Sequence, residues 1–291
     1  MKKSGRNILK SPLLALPSAG LLLLMVIFPI CLLLLFSFSK GNVTIGLPSA
    51  FSITNYTDLL TDPTFYSLMI KSIVIGLEVT VICLILSCPA AWALAKVVRP
   101  ARRNLGILLV IIPFFTSQLL LIYSIMVLFE SKGVVMSLLG ALRLADPSSS
   151  IVYTKACVVI ILIYEYLPYM ILSLYASLEQ IDDSIIMASH TLGAGKFTTF
   201  KRVVLPLCMP GVLSGILLVF VPTVGSFVEP AIAGGPSGMM IGTLIDSNFS
   251  VSMNMCYGAS ISLMFLVILL TIVAIINLCL KRFNRAMGGK V

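Results

Sequence analysis

Residues 179–206 read Glu179-Gln-Ile-Asp-Asp-Ser-Ile-Ile-Met-Ala-Ser-His-Thr-Leu-Gly-Ala-Gly-Lys-Phe-Thr-Thr-Phe-Lys-Arg-Val-Val-Leu-Pro206, a polar stretch set between two long apolar runs. Asp182, Asp183 or Ser184 can cap a short helix, and Gly193 suits the left-handed position that closes one. Ile185, Ala188 and Leu192 then share a face. A second short helix can follow and end before Pro206, because the residue preceding a proline is pushed out of the helical region. The stretch therefore reads as a compact helix–turn–helix with a small apolar face. The spacing alone is equally consistent with an ordinary loop folded onto its own membrane domain.

The flanking runs, Val152–Leu178 and Cys208–Val228, are long enough to cross a bilayer as helices. Leu13–Phe38, Ser67–Val98, Leu105–Phe129 and Tyr257–Leu280 make six such runs. Composition agrees: 59% of the 291 residues are apolar and 11% charged, against roughly 45–50% and 25% in soluble domains. A soluble enzyme and a disordered chain are both excluded as first readings. Met1-Lys2-Lys3 ahead of an apolar run resembles a signal peptide, but that run is too long for a cleaved one, so a retained first helix is expected. Seven dispersed cysteines with no CxxC pair argue against a disulfide framework or metal site. The fold class expected is an all-α membrane protein with six transmembrane helices.

Fifteen of the twenty basic residues fall on one side of these spans: Lys2, Lys3, Arg6, Lys10, Lys96, Arg99, Arg102, Arg103, Lys196, Lys201, Arg202, Lys281, Arg282, Arg285 and Lys290. Lys40, Lys71, Lys132, Arg143 and Lys155 fall on the other. The positive-inside rule places both termini in the cytoplasm. The organisation expected is a cytoplasmic tail 1–12, a helical domain 13–280 with a cytoplasmic loop 179–207, and a cytoplasmic tail 281–291. The net charge of +9 is thus a topology signal that meets the lipid bilayer, and no nucleic-acid partner is expected. Outside, Val134–Leu144 and Met239–Phe249 carry apolar residues at helical spacing and suit the membrane interface.

No GxxxxGK[ST] phosphate loop is present; Gly193-Ala-Gly-Lys196 is too short and lacks the hydroxyl that would hold magnesium. His190, the single histidine, sits in the cytoplasmic loop and reads as a surface residue, so neither hydrolase triads nor zinc motifs have candidates. Three acids, Glu78, Glu165 and Glu229, lie within or at the ends of spans, with no Lys or Arg deep in a span. A charge at mid-membrane costs about 2.5–3.5 kcal/mol on insertion scales, so such groups face a pathway or the protein interior. Glu165, Tyr169 and Ser173 share a helix face with Tyr166 beside it, and carboxylate plus aromatic rings is the chemistry that an organic cation needs. A structural polar contact to a neighbouring helix is the other reading of Glu165. Glu229 lies at the outer mouth of the fifth span, where Pro222 and Gly225 loosen the helix, and Glu78 suits either the route or a partner subunit.

Ala188-Ser189, Gly193 and Val203-x-Leu205-Pro206 resemble the EAA motif, Glu-Ala-Ala-x3-Gly-x9-Ile-x-Leu-Pro, of the inner-membrane permeases of binding-protein-dependent ABC importers. Gly193 and Pro206 have the spacing of that motif, and it falls between the fourth and fifth spans. Met187 stands in the Glu position and Ser189 in that of the second Ala. Tyr166-Leu-Pro-Tyr-Met-Ile-Leu-x-Leu-Tyr175 and Pro222-x-Val-Gly-x-Phe-Val-x-Pro230 resemble the spermidine/putrescine branch, although Met255-Cys256 replace its Trp-Pro pair.

The resemblance implies a type I (MetI-like) importer permease in a bacterial inner membrane. It implies a coupling helix that meets an ATPase dimer through Ile185, Met187, Ala188, Thr191 and Leu192, with Gly193, Leu205 and Pro206 shaping the loop. A second related permease and an extracytoplasmic binding protein are the other implied partners. No cofactor is expected on this chain, and ATP and magnesium belong to the ATPase. Its implied role is to form half of a route for a polyamine or similar small organic cation. The alternatives are an importer of another solute (an aminophosphonate, ferric iron or an inorganic anion) or a secondary transporter coupled by protons at Glu165.

Overall fold

In lipid every backbone N–H and C=O must be satisfied internally, and a helix does so within one segment. The computed structural model describes residues 11–40, 51–142 and 150–286, and apart from an isolated bridge between Ser39 and Phe51 its regular structure is helical. Lys2, Lys3, Arg6, Lys10, Arg143 and Lys290 lie outside the described residues, as do 1–10 and 287–291 of the expected tails and the end of the interfacial stretch Val134–Leu144. Among the described residues, six helical stretches are long and apolar enough to cross a membrane, as the composition predicts.

The chain divides into two units, Met1–Asp62 with Ser247–Leu266, and Pro63–Asp246 with Val267–Val291. The first holds α1 (Ser11–Ser37) and α2 (Thr54–Thr61). Residues Leu21 to Phe28 of α1 are all more than half exposed, the pattern of a surface that meets lipid. Orphan carbonyls at the end of α1 need partners. The Asn55 side-chain amide donates to the carbonyls of Ser37 at 3.1 Å and Ser39 at 2.8 Å, and Phe38 stacks on Phe51 with ring centres 5.3 Å apart.

The second unit contains α3 (Pro63–Trp92), α4 (Pro100–Ile111), α5 (Gln118–Phe129), α6 (Val134–Ala141), α7 (Lys155–Glu179), α8 (Asp183–Thr191), α9 (Lys196–Thr199), α10 (Leu205–Gly225), α11 (Val228–Ala233) and α12 (Gly235–Gly238). Two further helices, α13 (Ile241–Ser250) and α14 (Met255–Ala286), contribute residues to both units. Helices do form in the two stretches Val134–Leu144 and Met239–Phe249, as α6 and α13.

The core of the second unit lies among α3, α7 and α10, built from Ile75, Val79, Cys83, Val158, Leu162, Met170, Leu174 and Val219. Lipid tails are as apolar as Leu, so helices in a bilayer associate through close packing and small residues at their crossings. Gly76 meets Val224 and Phe220 so closely that a Cβ there would collide. Gly211 and Gly215 do the same for α10 on α7, against Ser177 and Met170. α7 runs unbroken through Pro168, which is buried in the core.

Two expectations need correction. The third span, Leu105–Phe129, is not one helix: α4 gives way to a 3₁₀ turn at Ile112–Phe115, and α5 begins only at Gln118. Pro113 cannot donate to a helical ladder, and Thr116 and Ser117 take extended backbone angles. By length and apolar content the crossing segment here is Gln118–Ala141. The second helix of the cytoplasmic loop likewise does not stop before Pro206. It passes through a wide π-helical turn at Phe200–Val204 and continues as α10, with Pro206 in the first turn. A proline is tolerated in a first turn, and the wide turn before it absorbs the missing N–H.

Candidate functional site

The break between α4 and α5 prepares the site. α4 starts beside Arg99, Arg102 and Arg103, which belong at the cytoplasmic boundary. Its twelve residues carry the chain about 18 Å along the helix axis to the break. Irregular backbone within a membrane domain persists only where protein surrounds it or where it lines a water-filled cavity. A cavity of about 190 Å³ lies there, lined by Pro113, Phe114, Thr116, Gln118, Leu121, Glu165 and Tyr169.

Two of the three membrane acids meet at this point. The Gln118 side-chain amide donates to Glu165 Oε1 at 3.2 Å and to Glu229 Oε1 at 2.6 Å, so a single NH₂ group bridges two carboxyl groups. Ser226, in the extended segment where α10 ends, donates to the other oxygen of Glu229. Glu229 is only 1% exposed, so it is enclosed by the chain and does not stand at an open mouth. Glu165 Oε2 is buried and has no hydrogen-bond partner among the described residues. An unmatched buried acceptor is costly, about 1–3 kcal/mol, and marks a place where a donor belongs. Tyr169 adds an aromatic wall, its ring centre 4.6 Å from that of Phe114 and 6.0 Å from that of Tyr166.

Glu78 stands apart from this pair. Lys155, the first residue of α7, reaches it at 2.7 Å, so an ammonium group neutralises an acid that the sequence left unmatched. Ser173 also turns elsewhere: its hydroxyl donates to the Gly211 carbonyl at 2.9 Å and lies 2.6 Å from Ser214 Oγ, tying α7 to α10. Gln118, Ser226 and Phe114 were not among the residues expected from the sequence. Their signal was there in part, as Thr116-Ser117-Gln118 is a polar interruption directly after Pro113 in an otherwise apolar run.

In the loop 179–207 the cap and the closing turn of α8 form where the spacing predicts them. Asp182 is the cap of α8, its Oδ1 accepting from the Ser184 backbone N–H at 2.9 Å. That bond holds the Asp182 carboxyl below the usual carboxylate range, so the cap persists above that range and is lost only as pH falls through the lowered value. Gly193 has φ +83°. Its N–H donates to the His190 carbonyl at 2.9 Å and the next N–H, of Ala194, to Ser189 at 3.1 Å, the paired bonds of a Schellman closure. Ser189, in the place of the motif's second Ala, is buried and its hydroxyl lies 2.9 Å from that of Thr199, pinning α8 to α9.

Ile185, Met187, Ala188, Thr191 and Leu192 all remain exposed, Met187 at 67% and Leu192 at 88%. Leu205 and Pro206 are half-buried at the base of the hairpin, where Leu205 lines an apolar cavity with Phe200, Val204 and Leu178. His190 Nδ1 lies 2.9 Å from the Ala194 carbonyl, a local bond within the turn. Among the described residues, no three His, Cys, Asp or Glu side chains gather as a metal site.

Comparison with known proteins accords with this architecture. Residues 42–289 match the family described as binding-protein-dependent transport system inner membrane component. The chain is 35% identical over 273 residues to the spermidine/putrescine transport system permease protein PotB of Escherichia coli K12, covering 94% of this chain and 97% of that protein. It is 33% identical over 264 residues to PotB of Haemophilus influenzae, covering 91% and 92%. Among solved structures, a bacterial ABC transporter for import of the acidic polysaccharide alginate superposes with a TM-score of 0.73 at 17% identity, over 95% of this chain and 96% of that one. A chain of the MetNI methionine ABC transporter gives 0.54 at 15% identity, over 78% and 99%. The fold is therefore that of ABC importer permeases, and the chain, a multi-pass inner-membrane protein, belongs to the family of binding-protein-dependent transport system inner membrane components.

Proposed function

We propose that this chain forms half of the translocation route of an ATP-driven importer for a polyamine such as spermidine or putrescine. A binding protein outside the membrane delivers the substrate, a second related permease completes the route, and an ATPase dimer binds ATP and magnesium. The chain itself holds no cofactor. The substrate reading draws on the relatives named as spermidine/putrescine permeases, matched over most of their length. The observation that carries it into chemistry is the pair Glu165 and Glu229 sharing one Gln118 amide, with one Glu165 oxygen buried and unmatched.

Gln118 acts as a placeholder in this reading. Its NH₂ group offers neutral donors to both acids, whereas a substrate ammonium offers three charged ones, and charge-assisted bonds are about twice as strong. An arriving ammonium group displaces the amide, and the rings of Phe114 and Tyr169 attract the cation alongside. Tyr166 backs that wall, Ser173 fixes α7 on α10, and Glu78 with Lys155 belongs to a separate ion pair of the route's outer half.

At the other end, the exposed residues Ile185, Met187, Ala188, Thr191 and Leu192 dock on the ATPase. Gly193 shapes the turn, and Leu205 and Pro206 join the hairpin to α10. Closure of the ATPases moves the hairpin and with it the helix that ends beside Ser226 and Glu229. Met187, in place of an acid, makes this an apolar dock.

Glu165→Gln tests the cation site. Removing one charged acceptor, worth about 1.5–3 kcal/mol, lowers spermidine uptake at limiting substrate roughly 10- to 100-fold. The complex should still assemble and hydrolyse ATP. Unchanged uptake at limiting substrate removes Glu165 from the route.

A further inference from the structure

Lys96 lies in the wide π-helical turn Ala93–Val97 that ends α3. Its side chain is only 10% exposed, unusual for a lysine at a membrane boundary, where the ammonium normally reaches into water. The ammonium turns inward instead. It donates to the carbonyl of Ile181 and, at 2.7 Å, to the carboxylate of Asp183. Ile181 is the buried corner between α7 and α8, and Asp183 is the first residue of α8. One cation therefore holds both sides of the turn from which the exposed face of α8 hangs.

A second cation reaches the same turn from the start of α4. Arg103 Nη1 lies 3.5 Å from Glu179, the last residue of α7. The corner joining α3 to α4 thus grips the loop at Glu179, Ile181 and Asp183. α4 leads from this corner through the 3₁₀ turn to Gln118, the residue that bridges the two acids. An exposed ion pair contributes little because water competes for both charges. An almost buried ammonium with a carbonyl and a carboxylate as partners is different, since its loss leaves acceptors without a donor.

We propose that Lys96 is a positioning residue for energy coupling, a clamp that makes the α3–α4 corner move with α8. Movement imposed on α8 then enters the membrane by two routes, through α10 and through the clamped corner toward Gln118. This rests on the reading of α8 as the segment that meets the ATPase.

The test uses the complete complex in proteoliposomes: this chain, its partner permease, the ATPase and the binding protein. The readout is spermidine taken up per ATP hydrolysed, measured for Lys96→Met, Lys96→Arg and Asp183→Asn. Lys96→Met should lower that ratio by about tenfold or more, as expected when one charged donor is lost from two acceptors. Lys96→Arg, which restores donor and charge, should return it to within about threefold of the parent. Asp183→Asn, at an exposed position that tolerates change, should produce an intermediate loss because the Ile181 carbonyl keeps its donor, and it carries the test if Lys96→Met fails to accumulate. A parental ratio in Lys96→Met or Asp183→Asn overturns the clamp, as does a Lys96→Arg variant as defective as Lys96→Met. Gly193→Asp run alongside separates the two ideas. If it also transports normally, the coupling reading of α8 has failed; if it is silent while Lys96→Met is normal, only the clamp has.

Discussion

Gly193→Asp is expected to abolish uptake while the chain still inserts and assembles with its partner permease. Gly193 sits at φ +83°, where a residue with a side chain is strained by roughly 1–2 kcal/mol. That strain is too small to unfold a membrane domain held by the core of α3, α7 and α10. A Cβ at Gly193 meets nothing within 4 Å in this chain, so no internal clash adds to it. What changes is the surface: a carboxylate appears next to Leu192, exposed at 88%, at the end of the apolar face proposed to meet the ATPase. A desolvated, unpaired charge at a contact costs several kcal/mol, which corresponds to a loss beyond 100-fold. Gly193→Asn, which tolerates the same backbone without charge, should retain far more uptake. Near-normal uptake by Gly193→Asp, with membrane insertion checked by surface labelling, removes α8 from coupling.

The second large effect concerns Glu229. Gln118 binds both acids with one amide, so Glu165 and Glu229 should behave as one unit toward a cation. Glu229→Gln should lower spermidine uptake by about 30-fold or more, since it removes a charged acceptor and disturbs the Ser226 bond that fixes the end of α10. Glu165→Gln/Glu229→Gln should fall short of the product of the two single losses, because once one acid is gone the shared ammonium site is already damaged. A double-mutant cycle on uptake at limiting substrate measures this. Strict additivity would mean that the acids act at separate places, and the shared site would be abandoned.

Much of the fold was legible because it follows from local rules. The cap at Asp182, the left-handed Gly193 and the short helices α6 and α13 depend on residues within a turn or two of each other, and sequence spacing exposes such relations directly. Span number likewise follows from apolar length. The site was only half legible. Glu165 and Tyr169 could be found because an acid inside an apolar run is conspicuous. Their partner Gln118 hid in a run apolar enough to pass for one helix, and its bond to Glu229 joins positions 111 residues apart.

The same distance problem applies to the Lys155 and Glu78 pair, 77 residues apart, which made Glu78 look unmatched. Pro206 misled for a different reason. A proline usually closes a helix at the preceding residue, but a π-helical turn before it lets the ladder continue, and nothing in Phe200–Val204 announces that turn. The departures from the EAA pattern gain meaning only in three dimensions: Ser189 bonds Thr199, and Met187 joins the exposed apolar face.

The most direct measurement is uptake of labelled spermidine by proteoliposomes that hold the complete complex, with ATP on the side of the ATPase and the binding protein on the other. Uptake should require both ATP and the binding protein. Unlabelled putrescine should compete with it, and aminophosphonate, ferric iron and inorganic anions should not. Saturable spermidine uptake without the ATPase, or ATP-driven uptake of one of those other solutes with spermidine ignored, would contradict a polyamine route through this chain.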